Sequence, residues 1–156
     1  MSRDVESISF HDLTPADAAE ARSLVLAGLS EHWGVIDPAL NADLDDLGAA
    51  YPNGRTIVAR DALGMCATGT CVPRDGTTAE LVRMSVRIDV RRSGFGRAVV
   101  EELVATAGRW GMARVTLETS TRWHDAIAFY RRCGFEITHE ISGEFGSDTW
   151  FARQIR

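Results

Sequence analysis

Residues Glu80 to Ala98, ELVRMSVRIDVRRSGFGRA, constrain the fold more than any other stretch of the chain. Val82, Met84 and Val86 alternate with Leu81, Arg83 and Ser85, mostly the period-2 pattern of a strand with one buried face. The alternation runs on through Ile88 and Val90, where it carries less weight. Arg91, Arg92, Ser93, Gly94, Phe95 and Gly96 then set cations beside two residues without Cβ, so backbone N–H groups can approach an anion closely. Val99, Val100, Leu103, Val104 and Ala107 follow at helical spacing, which puts the positive end of a helix at that turn. Strand, loop and helix in this order make a phosphate site; the plainer alternative is a tight connection with solvated arginines.

Two other phosphate motifs fit less well. Gly94 to Val99 reads GxGxxV, and Glu118 follows about 20 residues on, as a ribose-binding acid would in a dinucleotide fingerprint. The third glycine is missing, at least three short strands precede the turn, and too little chain follows for a long parallel series. A P-loop is excluded because the sequence contains no GxxxxGK[ST].

The run Val86-x-Ile88-x-x-Arg91-x-x-Gly94-x-Gly96, a helix, a strand ending Leu117-Glu118-Thr119, and then Ala126-Ile127-Ala128-Phe129-Tyr130-x-x-x-Gly134-Phe135 resemble the GNAT superfamily of acyl-CoA-dependent N-acetyltransferases. The resemblance covers about half the chain, Glu80 to Phe135, and its two motifs are specific in combination. Trp123 stands where members often have Asn, which bears on one usual cofactor hydrogen bond, and Ile88 where many have Pro.

The resemblance implies one domain over residues 1–156 of α/β (α+β) class: a mixed, mostly antiparallel sheet of six to seven strands, with a central parallel strand pair and helices on both faces. It implies acetyl-CoA as acyl donor, a small-molecule amine or peptide as acceptor, direct attack through a ternary complex, and a homodimer as one arrangement. A bulge in the strand around Met84, Ser85 and Val86 would expose N–H and C=O groups that hold the pantetheine as if it were another strand. The backbone of Arg92, Ser93, Gly94, Phe95, Gly96, Arg97 and Ala98 would hold the pyrophosphate, with charge from Arg91, Arg92 and Arg97. Trp123, Ala126 and Phe129 would line the cofactor from the next helix. Tyr130 aligns with the family's general acid, its alternative role being a core tyrosine. Glu80 resembles the carboxylate that some relatives use as base; Glu118 and His124 are alternatives, and each can equally be a surface charge. A non-catalytic acyl-CoA sensor or interaction domain is the rival function.

The chain of 156 residues is 45% apolar and 25% charged, as for one soluble globular domain. A net charge of −5 argues against general nucleic-acid binding, although Arg83, Arg87, Arg91, Arg92 and Arg97 form a local basic cluster. Cys66, Cys71 and Cys133 show neither CxxC nor metal spacing and read as reduced apolar residues. With no h-region at the N-terminus and no run of about 18 apolar residues, a cytoplasmic location without membrane contact is expected.

Along the chain, a first strand is expected over Val5–Phe10. Thr14-Pro15-Ala16-Asp17 reads as the start of a helix reaching about Glu31. His32 to Gly54 reads as an excursion with a short helical stretch from Pro38 to Leu47. With Glu31 just before it, this segment carries the acids Asp37, Asp43, Asp45 and Asp46, which either attract a cationic amine or form a solvated face. Thr56–Arg60 and Met65–Val72 read as a hairpin, followed by a turn at Arg74-Asp75-Gly76 into the key strand. A crossover helix to about Gly111 makes the strand Arg114–Thr119 parallel to it. A helix over Trp123–Cys133 is stopped by Gly134, and two last strands cover Glu136–Ser142 and Asp148–Gln154. Trp33, Trp123 and Trp150 line an acceptor pocket or fill the core.

Overall fold

Seven strands form a single sheet in the order β1-β2-β3-β4-β5-β7-β6. The structure, a computed structural model, describes residues 9–34, 38–144 and 146–155, with the side chains of 38–40 excluded. The strands are β1 (Ser9–Asp12), β2 (Arg55–Asp61), β3 (Gly64–Pro73), β4 (Thr78–Val86), β5 (Arg114–Ser120), β6 (Glu136–Gly143) and β7 (Gly146–Gln154). The helices are α1 (Ala18–Trp33), α2 (Leu47–Ala50), α3 (Phe95–Arg109) and α4 (His124–Arg132). All neighbouring strands are antiparallel except β4 and β5, which are parallel. The chain must cross from the end of β4 to the start of β5, and α3 is that crossover.

Strand alternation sorts the core onto two faces. Ile57 and Ala59 of β2 join Leu81, Val115, Leu117 and Phe151 under α3, with Ile127, Phe129 and Tyr130 of α4 packed against the same cluster. Val58 points the other way and packs with Ala21 and Val25 of α1 and with Leu44, Leu47 and Met65. β6 has no such cover, and every one of its residues is exposed.

Local chemistry sets the boundaries. Pro15–Asp17 is a 3-10 turn, and the buried Asp17 carboxylate accepts from the Thr14 N–H (2.8 Å) and hydroxyl (2.9 Å) before α1 begins. Asp75 accepts from the N–H groups of Thr77 and Thr78, both at 2.7 Å, and so turns the chain into β4. Gly134, at φ +89°, lets Phe135 N donate back to Tyr130 O (3.1 Å) while the Phe135 ring is buried, which closes α4.

Differences from the expectations are local. The expected first strand lies partly outside the described residues, and β1 runs on to Asp12. α1 continues two residues past Glu31 to Trp33. Pro38–Asp45 is a 3-10 segment kinked at Asn41, and α2 is a separate turn capped by Asp46, which accepts from Ala49 N at 3.1 Å. Ile88 and Val90 do not extend β4; Ile88–Val90 is a 3-10 turn with Ile88 exposed. Nor do Val82, Met84 and Val86 form one buried face: Met84 and Val86 pack half-buried on the α3 cluster with Leu81, and the bulge sends Ser85 to the α1 face. No helix of the described residues is long and apolar enough to cross a membrane.

Candidate active site

β4 and β5 pair only through Thr78–Glu80 and Arg114–Thr116. Beyond that point β4 stays bonded to β3 as far as Val86, and β5 to β7 as far as Ser120. Two strand edges therefore face each other unpaired across a gap in the middle of the sheet, and unpaired edges are templates for another extended chain.

Along the β4 edge, Thr68 opposes Ser85 and Thr70 opposes Val82, so Arg83 and Met84 together face only Gly69. This is a bulge, and Arg83 carries it with φ +54°. A Cβ on Gly69 would collide with Met84 Sδ, so the glycine makes the room. Arg87 N donates to Cys66 O (2.8 Å); by the alternation of an antiparallel ladder, the N–H and C=O of Val86 then point away from β3, toward the gap. Arg91 Nε takes the Val86 carbonyl at 3.0 Å. Ser85 is placed differently, since its hydroxyl donates to Leu24 O of α1 at 3.1 Å, where Gly28 leaves space for it.

The loop from Arg87 to Gly94 ends in two left-handed residues, Arg92 (φ +65°) and Gly94 (φ +95°), which aim the first turn of α3. The first helical N–H with a regular acceptor is that of Ala98, which donates to Gly94 O (3.0 Å); the N–H groups of Phe95, Gly96 and Arg97 are those that a helix start leaves without one. The Ser93 hydroxyl folds back onto Val90 O. The Phe95 ring is buried in the core, so only its backbone faces the turn. Gly96 serves packing: a Cβ there would lie 3.0 Å from Val86 Cγ2 and 3.2 Å from Phe129 Cζ. Strand edge, helix start and α4 therefore meet at one glycine.

The basic cluster divides. Arg83 is paired with Asp43, Arg87 with Asp61 and Asp89, and Arg91 with Glu31 through two bonds of 2.6 and 2.8 Å. Arg92 and Arg97 are exposed and form no ion pair among the described residues. They are the cations left beside the open end of α3.

Tyr130 projects from α4 among the rings of Phe129 (5.1 Å), Phe135 (6.1 Å) and Phe151 (6.0 Å). Its hydroxyl makes no hydrogen bond to a described residue, and the residue is half-buried. Burial, reinforced by Cys133, raises its pKa and keeps it protonated. On the sheet face opposite α3, the register aligns Glu80 with Thr116, Glu118 with Trp150 and Ser120 with Asp148. Glu80 is 11% exposed at its side chain and accepts from Arg74 Nε at 2.9 Å. Glu118 has no ion pair or hydrogen bond of its own among the described residues; burial, then Asp148 and Glu80, raise its pKa against the pull of Arg74. The tryptophans separate: Trp150 stacks on His139 (5.9 Å), whereas Trp123, just before α4, stacks on His32 (4.1 Å) and meets Trp33 edge-on (5.7 Å). His124 and Ala126 lie in the first turn of α4, His124 exposed and Ala126 half-buried.

A model of the acetyltransferase (GNAT) family matches residues 20–135. The chain belongs to that family. Among curated proteins it is 36% identical over 61 residues to N-acetyltransferase family 8 member 3 of Mus musculus, covering 39% of this chain and 27% of that protein. It is 30% identical over 100 residues to probable N-acetyltransferase 14 of Xenopus tropicalis, covering 62% and 48%. The chain thus spans between about a quarter and a half of these relatives' length. Among solved structures, a GNAT acetyltransferase of Staphylococcus aureus Mu50 superposes with a TM-score of 0.85 at 17% identity, over 96% of this chain and 100% of that one. A GNAT acetyltransferase of Elizabethkingia anophelis with acetyl-CoA bound gives 0.70 at 16% identity, over 96% and 99%. These likenesses show the GNAT fold: a seven-stranded, mostly antiparallel sheet with the parallel β4–β5 pair and helices on both faces.

Sequence reasoning missed the left-handed Arg83, the room made by Gly69, and the pairing of Arg91 with Glu31; side chains distant in sequence set all three. The acids of the excursion are also occupied. Asp43 holds Arg83 and Tyr51, Asp45 lies 3.5 Å from Arg22, and Asp46 caps α2, while Asp37 lies outside the described residues. Asp43 and Asp46 are tied into the fold, and Asp45 is exposed.

Proposed function

We propose that this GNAT domain transfers the acetyl group of acetyl-CoA to a primary amine of a small molecule or peptide, by direct attack within a ternary complex. The observation that carries the reading is the gap between β4 and β5, with the start of α3 and the α4 helix of Tyr130 meeting on one face of it, where Phe129 abuts Gly96. The acyl donor is acetyl-CoA. Its pyrophosphate fits the backbone from Arg92 to Ala98, with charge from Arg92 and Arg97 rather than from the already paired Arg91. Its pantetheine fits the β4 edge at Met84 and Val86, where Arg91 already holds the Val86 carbonyl and the Val86 N–H is turned to the gap, more than at Ser85, which pairs with Thr68 of β3. Phe129 backs that slot at Gly96 and Ala126 sits one turn earlier on α4, while Trp123 is stacked on His32.

The amine nitrogen attacks the thioester carbonyl, the C–S bond breaks, and the thiolate takes the proton of Tyr130 Oη. The proton lost by the amine goes to Glu118. Glu118 is free of ion pairs among the described residues and raised in pKa, which suits a base, whereas Glu80 is already bonded to Arg74. Glu80 then adds negative field to the same face. The test is release of free CoA with a panel of amines, comparing Glu118→Gln with Glu80→Gln. Glu118→Gln is expected to lower kcat at neutral pH by about the hundredfold typical of a lost base, and less at high pH, where the amine loses its proton unaided. An unchanged kcat in Glu118→Gln alongside a large loss in Glu80→Gln would return the role to Glu80.

A further inference from the structure

The bulge in β4 is built on a residue that does not favour it. A non-glycine residue at positive φ is strained, and Arg83 sits at φ +54°. Something in the fold must hold it there. Its guanidinium makes two bonds to the Asp43 carboxylate, Nε to Oδ2 at 2.7 Å and Nη2 to Oδ1 at 2.6 Å, and both side chains are only 20% exposed. The Tyr51 hydroxyl donates to the same carboxylate at 2.9 Å. The Asp43 carboxyl is thus the hub between the bulge and the segment that carries α2. The neighbouring Met84 falls on the opposite face of the sheet, over Gly69.

We infer that the Arg83–Asp43–Tyr51 clamp is a positioning device for the acyl donor, holding the left-handed bulge that turns the β4 edge at Met84 toward the gap. This rests on the acetyltransferase reading above. Arg83 touches no reacting atom; its part is to balance the strain of the bulge by an ion pair from the 38–50 segment. The clamp also joins that segment to the strand on which the donor would lie.

Two substitutions separate the backbone from the side chain. Arg83→Ala and Arg83→Gly lose the same ion pair, but only glycine adopts positive φ without strain. Affinity for acetyl-CoA and for adenosine 3′,5′-bisphosphate, which lacks the pantetheine arm, is measured by calorimetry on the whole chain, with melting temperature as a control for folding. Arg83→Ala is expected to weaken acetyl-CoA about tenfold and leave the bisphosphate within about twofold. Arg83→Gly is expected to keep acetyl-CoA within about threefold of the parent. Asp43→Ala, which breaks the clamp from the other side with Arg83 in place, is expected to follow Arg83→Ala. Equal losses in the alanine and glycine variants would overturn the inference, as would equal losses for both ligands or full acetyl-CoA affinity in Arg83→Ala. A parent chain that binds the bisphosphate but not acetyl-CoA would instead overturn the acetyltransferase reading, and this inference with it.

Discussion

Tyr130 is the residue at which packing and chemistry separate most cleanly. Its ring lies among three phenylalanines, and its hydroxyl bonds to no described residue. Tyr130→Phe therefore removes one oxygen and strands no partner, so melting temperature and acetyl-CoA affinity should hold. kcat should fall by about a hundredfold, and by less for a thioester with a better leaving group. Equal kcat with chemistry rate-limiting would take Tyr130 out of the mechanism. Glu118 adds a pH signature. Its raised pKa means that the carboxylate form is lost already at a pH above the ordinary glutamate range, so the acid limb of kcat/KM should lie there. Asp148→Asn removes one of the charges that raise it and should move that limb to lower pH; an unmoved limb would detach it from Glu118. At this scale the sequence was legible where a local signal sets the backbone, as for the glycine turn at Gly94. It was silent where a distant side chain decides, as for Arg91, which Glu31 claims, and it left Glu118 as one of three candidate bases, since the neighbours of Glu118 come from β7 and β4.

Among the elements, the β4–loop–α3 unit carries the account, and its two glycines act for different reasons. Gly94 is needed for φ +95°; Gly96 is needed because Val86 and Phe129 leave no room for a Cβ. Gly94→Ala and Gly96→Ala should each cost about 1–2 kcal/mol of stability and weaken acetyl-CoA about tenfold or more, seen by urea unfolding and by titration. Folded variants with parental affinity would refute the placement of the pyrophosphate. The start of α1 makes a separate prediction. Burial alone would raise the Asp17 carboxyl, but bonds from Thr14, Arg60 and His11 together hold it far below the usual range. A depressed native pKa means that its stabilisation is present above the unfolded value of about 3.8 and fades as pH falls below it. Asp17→Asn should lower the melting temperature at pH 7, lose only a part of that effect at pH 3, and lose the rest as pH falls on through the depressed native value. A constant difference would deny the charge its role. Element order was readable because alternation, caps and Gly134 are local signals. The bulge was expected from the family resemblance and not from a local signal, since its phase shift comes from Gly69 on the next strand and Asp43 on the excursion.

For the molecule as a whole, the parallel β4–β5 pair that ends after three residue pairs turns a continuous sheet into one with a slot. α3 and α4 lie on one side of that slot and the Glu80–Glu118 face on the other, so donor and acceptor would meet from opposite faces. Acetyl-CoA at 100 times its Kd should stabilise the chain by about 2.7 kcal/mol, whereas NAD and ATP should not. Protection by NAD alone would favour the dinucleotide motif over the acetyl-transfer site. The most direct test of the central claim is to incubate the chain with acetyl-CoA and a panel of primary amines, following free thiol and the mass of each amine together. The account predicts amine-dependent CoA release matched by a product heavier by one acetyl group, both abolished or sharply reduced in Tyr130→Phe. Tight acetyl-CoA binding with no acetylated product from any amine, small molecule or peptide, would contradict it and leave an acyl-CoA-binding domain without turnover.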